Sequence, residues 1–190
     1  MGRDRAVLTI NSAFLMKGFT LVESLVVVTI ILVLLAIVLV NYRAGERNLS
    51  LDESAAILGQ NFRRAEEMAM SAKGFQGIIP QGGYGINLKT DEDFYIIFAD
   101  CNNDRQYTLS NSCNGFPEKV EQVSFGKRSE IASLFSGSYL SVMNIVFIPP
   151  NPSIMISGTG TEAVIKLSLK EDASVLRTVR VNKAGLIEAF

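Results

Sequence analysis

The sequence contains no histidine and only two cysteines among its 190 residues. Histidine is the commonest general base and the commonest metal ligand, so its absence removes both uses at once. Two cysteines are too few for a cysteine-based zinc site, and Cys101 and Cys113 lack the C-x-x-C spacing of a redox motif. We therefore expect no cofactor and no acid–base chemistry based on histidine.

The chain also has little net charge, with 18 basic and 19 acidic residues giving a formal charge of −1. No cluster of lysine and arginine stands out, so a polyanionic partner is not indicated and nucleic acid is not expected as a partner. Arg177, Arg180 and Lys183 near the C-terminus could touch phosphates, but Glu188 follows them. A solvated hairpin explains these residues better.

The two cysteines leave two interpretations open. A disulfide between Cys101 and Cys113 requires an oxidising compartment. The alternative is two separate buried thiols.

Long apolar runs are absent except for one, over residues 19–40, in which Glu23 is the only ionisable side chain. As a helix these 22 residues would span roughly 33 Å, enough to cross a bilayer. The run exceeds the core of a cleaved secretory signal, and no clear small-x-small site follows it. A carboxylate in lipid costs on the order of 2–3 kcal/mol, so Glu23 needs a compensating partner.

The charges that flank the run predict its orientation. Arg3, Arg5 and Lys17 precede it against one acidic residue, which favours a cytoplasmic N-terminus. Arg43 and Arg47 on the far side weaken this bias without reversing it. We expect a single-pass membrane protein whose C-terminal domain lies outside the cytoplasm.

Helical periodicity continues beyond residue 40 as an amphipathic pattern, and no proline interrupts residues 19–73. We predict one helix over this range, which stops at Gly74 and has weak points at Gly45 and Gly59. The predicted buried stripe is Leu51, Ala55, Leu58, Phe62, Ala65 and Ala69.

The remainder, residues 74–190, reads as short strands separated by turns. The predicted strands are 77–79, 84–88, 94–99, 120–125, 140–148, 163–169, 175–181 and 186–190. Residues 182–185 read as the turn of a final hairpin, and the clearest alternation places Ile165, Leu167 and Leu169 on a buried face. The fold class is therefore α+β, with a long N-terminal helix packed against an antiparallel sheet domain.

The stretch Gly18-Phe19-Thr20-Leu21-Val22-Glu23, followed by the apolar helix, resembles the type III signal of type IV pilins and type II secretion pseudopilins. The resemblance implies a leader over residues 1–18, which a prepilin peptidase removes between Gly18 and Phe19. It also implies N-methylation of Phe19 and pairing of Glu23 with the N-terminal amine of a neighbouring subunit. Met16 is an alternative start that would leave the mature chain unchanged.

The later segments YIIFADCNND, NIVFIPPNP and LRTVRVNKAGLI look like those of the GspH/FimT group of minor pseudopilins and minor pilins. This implies two antiparallel sheets on the second half of the helix. It also implies a structural, non-enzymatic subunit of the type II secretion pseudopilus. The implied partners are other pseudopilin subunits, the prepilin peptidase and methylase, the inner-membrane secretion platform and the lipid bilayer. The alternatives are a minor type IV pilin for pilus assembly or DNA uptake, and a membrane-tethered binding domain.

Two further motifs carry weaker interpretations. Asp100, Asn102 and Asp104 have the alternating oxygen ligands of a calcium loop, but the glycine and glutamate that an EF-hand requires are absent, and we favour an Asx-rich turn between strands. Residues 124–127 fit the S-x-x-K pattern of some acyl-transfer enzymes without its companion motifs, so we expect no enzyme.

Overall fold

The computed structural model of the chain describes residues 20–126, 128–150 and 153–190, with residues 39–44 described by their backbone alone. The chain divides into two compact units, Met1–Tyr42 and Arg43–Phe190. A single helix, α1 (Leu21–Met70), contributes residues to both units. The two antiparallel sheets belong to the second unit, so the fold is α+β as predicted.

The part of α1 in the first unit is apolar and unburied. The segment Leu21–Val38 has a mean hydropathy of 3.0, and none of its residues is buried. By length and composition this segment could span a membrane. Its extent agrees with the apolar run predicted over residues 19–40.

The part of α1 in the second unit is amphipathic, as its periodicity predicts. The six residues of the predicted stripe are all buried, with exposed fractions of 3% or less. The opposite face is exposed and carries Asp52, Glu53, Gln60, Arg63, Arg64 and Glu67. Neither Gly45 nor Gly59 interrupts the helix.

The helix ends earlier than predicted, at Met70, and its last turn is closed by Ala72. The amide of Lys73 donates to the carbonyl of Met68 (3.1 Å), and the amide of Ala72 donates to the carbonyl of Ala69 (3.1 Å). This is the Schellman arrangement, in which the residue after the helix adopts a left-handed conformation. Ala72 has a φ of 48°, so alanine occupies a position that favours glycine.

Substitution of Ala72 by glycine is expected to stabilise the second unit by about 0.5–1 kcal/mol, because glycine adopts this φ without steric strain. Ser71→Gly, one residue earlier, is the matched control, since Ser71 is absent from the residues of positive φ. The free energy of unfolding from denaturant titration checks both variants. Equal effects of the two substitutions would contradict the role assigned to Ala72.

Within the described residues, ten strands form two five-stranded antiparallel sheets. The first sheet has the order β3-β2-β1-β6-β7 and the second the order β10-β9-β8-β4-β5. The strands are β1 (Gly83–Lys89), β2 (Phe94–Asp100), β3 (Lys119–Ser124), β4 (Ser129–Phe135), β5 (Tyr139–Leu140), β6 (Val142–Ile148), β7 (Ser153–Ile156), β8 (Glu162–Leu169), β9 (Asp172–Asn182) and β10 (Ile187–Ala189).

Within the second unit, side chains of α1 contact both sheets. The Asn61 amide donates to the Tyr95 hydroxyl of the first sheet (2.6 Å), and the Ser54 hydroxyl donates to the Ser129 hydroxyl of the second (3.1 Å). Apolar residues of the helix and of both sheets form one buried cluster. This cluster is the hydrophobic core of the unit, and the helix stripe is part of it.

The final hairpin forms as predicted, because β9 and β10 pair across residues 182–185. The Asn182 side chain accepts hydrogen bonds from the amides of Ala184 (2.9 Å) and Leu186 (3.0 Å), and Gly185 has a φ of 91°. The alternation in β8 is also confirmed on its buried side.

Two strand predictions are wrong. Residues 77–79 form only an isolated bridge between Phe75 and Ile78, because Gln76 and Gly77 both have positive φ and make a tight turn. The predicted strand 140–148 is two strands, β5 and β6, which belong to different sheets. The strands β4 and β7 were not predicted.

Candidate functional site

The candidate functional site is the N-terminal turn of α1, where Glu23 lies. Thr20 precedes the helix, and its hydroxyl accepts a hydrogen bond from the Glu23 amide at 3.2 Å. Thr20 is therefore the N-cap, and Glu23 occupies the third helical position, where the capping-box pattern has glutamate or glutamine. A carboxylate in this turn also interacts favourably with the helix dipole.

The hydroxyl groups in the apolar part of α1 are satisfied within the helix. The Ser24 hydroxyl donates to the Thr20 carbonyl (3.4 Å), and the Thr29 hydroxyl donates to the Leu25 carbonyl (2.8 Å). Such bonds let hydroxyls enter an apolar medium without exposing an unpaired polar group.

Glu23 differs from these hydroxyl residues. Between residues 21 and 38 it is the only ionisable residue, and it is exposed. None of the ion pairs between described residues includes Glu23. Its carboxylate is therefore available to a partner outside the described residues.

The other two predicted residues of this site, Gly18 and Phe19, lie outside the described residues, as does the whole predicted leader 1–18. Cleavage after Gly18 and methylation of Phe19 thus stay predictions. The structure describes the cap at Thr20 and the exposed carboxylate of Glu23, which follows the predicted new N-terminus, Phe19, by four residues in the sequence.

Cys101 and Cys113 form a disulfide in the second unit, with 5.3 Å between their Cα atoms. The bridge closes the loop that joins β2 to β3. Cys113 is fully buried, and its sulfur lies 3.6 Å from the Ala99 carbonyl. The structure thus contains the disulfide alternative of the two that the sequence leaves open.

The predicted calcium ligands Asp100, Asn102 and Asp104 lie in the same loop, but their oxygens hold the loop backbone. Asp100 accepts hydrogen bonds from the amides of Asp104 (3.2 Å) and Arg105 (2.9 Å). The Asn102 side chain bonds Asp104 through both its oxygen and its nitrogen. These are the bonds of a polar turn, and no group of three potential metal-ligating residues occurs in the part of the chain that is described.

Sequence reasoning missed Glu118, a fully buried carboxylate at the far end of this loop. It accepts hydrogen bonds from the Thr108 amide (3.0 Å), the Thr108 hydroxyl (3.0 Å) and the Ser112 hydroxyl (2.9 Å). Burial raises the pKa of Asp100, and the nearby charge of Glu118 contributes to the increase. Glu118 has no sequence signal, because its partners come from a loop without periodicity.

The remaining candidate residues do not converge on one place. Ser124 ends β3 and is exposed, while Lys127 of the S-x-x-K pattern lies outside the described residues. Arg177 forms an ion pair with Asp52 of α1, and Arg180 lies 5.0 Å from the centre of the Phe190 ring. Lys183 is exposed in the hairpin turn. The structure does not bring these three basic residues to one face of β9.

Comparison of the chain with family models, with curated proteins and with solved structures finds no match.

Proposed function

We propose that this chain is a structural subunit, a minor pseudopilin of a type II secretion pseudopilus. The proposal rests on the two different parts of α1. Its first part is apolar and unburied in the chain and carries one exposed carboxylate in a capped first turn, while its second part belongs to a domain core. The motif at residues 18–23, which resembles the signal of pilins, connects this arrangement with filament assembly.

In the proposed assembly step, two opposite charges pair inside an apolar bundle of helices. Removal of residues 1–18 creates a positively charged amine at Phe19, and Glu23 of a neighbouring subunit offers the opposite charge. Pairing lowers the free energy of holding either charge away from water, whereas loss of one partner leaves the other unpaired. The partners are other pseudopilin subunits, together with the peptidase, the methylase and the inner-membrane secretion platform.

The proposed location is the bacterial inner membrane, with the N-terminus in the cytoplasm and residues 43–190 on the other side. Two features support this orientation. The basic residues before the apolar run favour a cytoplasmic N-terminus. The disulfide of the second unit is of the kind that persists in oxidising compartments outside the cytoplasm.

Intact mass of the protein recovered from membranes tests the proposal. We expect a chain that begins with N-methylated Phe19, because the resemblance implies both modifications. Its mass does not depend on whether translation starts at Met1 or Met16. The matched control is Gly18→Leu, which places a bulky side chain at the cut and should retain the leader.

Recovery of the full leader in the unsubstituted chain would contradict the proposal, provided that the same cells cleave another prepilin. That result would instead support a membrane-tethered binding domain. A mature chain that is found in long surface pili would support the alternative of a minor type IV pilin.

A further inference from the structure

A cavity of about 240 Å³ opens on the second sheet, on the face opposite to the core side chains. Its lining consists of Ser133, Phe135, Tyr139, Val164, Lys166 and Arg180. The pairing registers align Phe135 with Tyr139 and with Val164, and align Val164 with Arg180. Lys166, two residues along β8, lies on the same face.

Two aromatic side chains form one wall of this cavity although solvent reaches them. Tyr139 is 75% exposed and Phe135 is 37% exposed. Their ring centres are 5.3 Å apart in an edge-to-face arrangement. Such a pair offers apolar surface that an incoming side chain can cover.

The turn between β4 and β5 holds this aromatic pair in place. The Ser136 carbonyl accepts hydrogen bonds from the amides of Thr159 and Gly160 (3.2 Å each). A Cβ atom added at Gly137 would approach the Thr159 hydroxyl to 2.4 Å, so the two loops are in close contact. The aromatic wall is therefore preorganised, which lowers the entropy lost on binding.

Two cations line the other wall, and neither forms an ion pair within the described part of the chain. None of the ion pairs there includes Lys166 or Arg180. Arg180 stacks on Phe190, which leaves the edge of its guanidinium group free to donate hydrogen bonds. Lys166 and Arg180 are diagonal neighbours on adjacent strands, positions whose backbones lie about 7–8 Å apart, so one carboxylate can reach both long side chains.

We propose that this cavity binds a peptide segment of a partner protein in which a carboxylate side chain stands next to an aromatic one. The carboxylate would lie between Lys166 and Arg180, and the aromatic ring would cover Phe135 and Tyr139. Charge-assisted hydrogen bonds to a carboxylate are about twice as strong as neutral ones. The proposal does not depend on processing or on filament assembly.

The surrounding charges favour an acidic peptide over a nucleic acid. Glu188 pairs in register with Arg180, and Glu162 precedes Val164 by two residues on the same strand face. Two carboxylates thus neighbour Arg180 on this face. A chain of phosphates would meet both carboxylates, whereas a single carboxylate side chain would meet only the cations.

The experiment uses the full chain in nanodiscs and three probes: acetyl-Glu-Phe-amide, acetyl-Gln-Phe-amide and an oligothymidylate. Affinities are measured by saturation-transfer NMR, with empty nanodiscs as blank. We expect the Glu-Phe probe to bind about tenfold more tightly than the Gln-Phe probe, because only the former carries the carboxylate. The oligothymidylate should bind more weakly than the Glu-Phe probe.

Two variants test whether the probes bind in this cavity. The double variant K166Q/R180Q should weaken binding of the Glu-Phe probe about tenfold and change that of the Gln-Phe probe less than twofold. Tyr139→Ala should weaken both probes by roughly threefold to tenfold, through the lost aromatic contact. The matched control K73Q/K183Q removes the same charge at exposed positions outside the cavity.

Equal affinities for the two dipeptides would overturn the proposal, as would an unchanged affinity of K166Q/R180Q or no binding of any probe. Tighter binding of the oligothymidylate would overturn it in favour of nucleic acid. Processing at Gly18 is measured separately by intact mass, so failure here leaves the proposed function unaffected.

Discussion

Substitution of Leu58 by alanine is expected to lower the free energy of unfolding of the second unit by about 3–5 kcal/mol. Leu58 is fully buried in the core that α1 shares with both sheets. Truncation there removes apolar contacts and leaves a cavity. Alanine substitutions of fully buried leucines in other proteins lower the free energy of unfolding by about this much. The loss is a large fraction of the stability of an ordinary domain.

The control is the same substitution elsewhere in the same helix. Leu32 is 61% exposed in the chain, so Leu32→Ala should change the unfolding of the second unit by less than about 0.5 kcal/mol. Denaturant unfolding of the full chain in detergent measures both, followed by the fluorescence of tyrosines such as the buried Tyr84 and Tyr95, since tryptophan is absent. Similar losses for the two variants would contradict the division of α1 into an apolar span and a core stripe.

The helix was the most predictable element, for a physical reason. A stripe with spacings of three and four residues can be buried only as a helix, and every residue of the predicted stripe is buried. The end of the helix was less predictable, because Ala72 takes the left-handed position that the sequence assigns to Gly74. Favourable hydrogen bonds of the last turn outweigh the local preference for glycine.

The unpredicted strands depend on features that break local periodicity. In β4 a register shift between Ile131 and Ser133 interrupts the alternation of buried and exposed residues. β7 has only four residues and follows a proline-rich stretch that reads as a loop. Ser141 separates β5 from β6, and no local pattern shows that the chain changes sheets there.

Functional residues could be predicted where the signal lies within one short stretch of sequence. They could not be predicted where the fold brings distant residues together. Glu23 attracts attention from the sequence alone, as a single charge beside an apolar run. The cavity with Lys166 and Arg180 combines residues from β4, β5, β8 and β9, and only strand pairing brings them together. The buried carboxylate of Glu118 is hidden for another reason, because its partners come from a loop without periodicity.

Substitution of Glu23 by alanine or glutamine is expected to reduce incorporation of the chain into filaments at least about tenfold, a difference of 1.4 kcal/mol in assembly. Either change removes the charge that we propose pairs with the Phe19 amine of a neighbour, and would leave that amine unpaired in an apolar bundle. Cleavage after Gly18 should continue in both variants. Incorporation is measured as the fraction of mature protein in sheared filaments.

The glutamine variant separates two roles of Glu23 that alanine removes together. Glutamine can serve at the third position of a capping box, so Glu23→Gln preserves the capping role of the side chain while it removes the charge. If charge pairing directs assembly, both variants fail equally. Near-normal incorporation of Glu23→Gln alone would assign the residue to helix capping and contradict the pairing. Glu53→Gln, an exposed carboxylate of the same helix, is the control and should assemble normally.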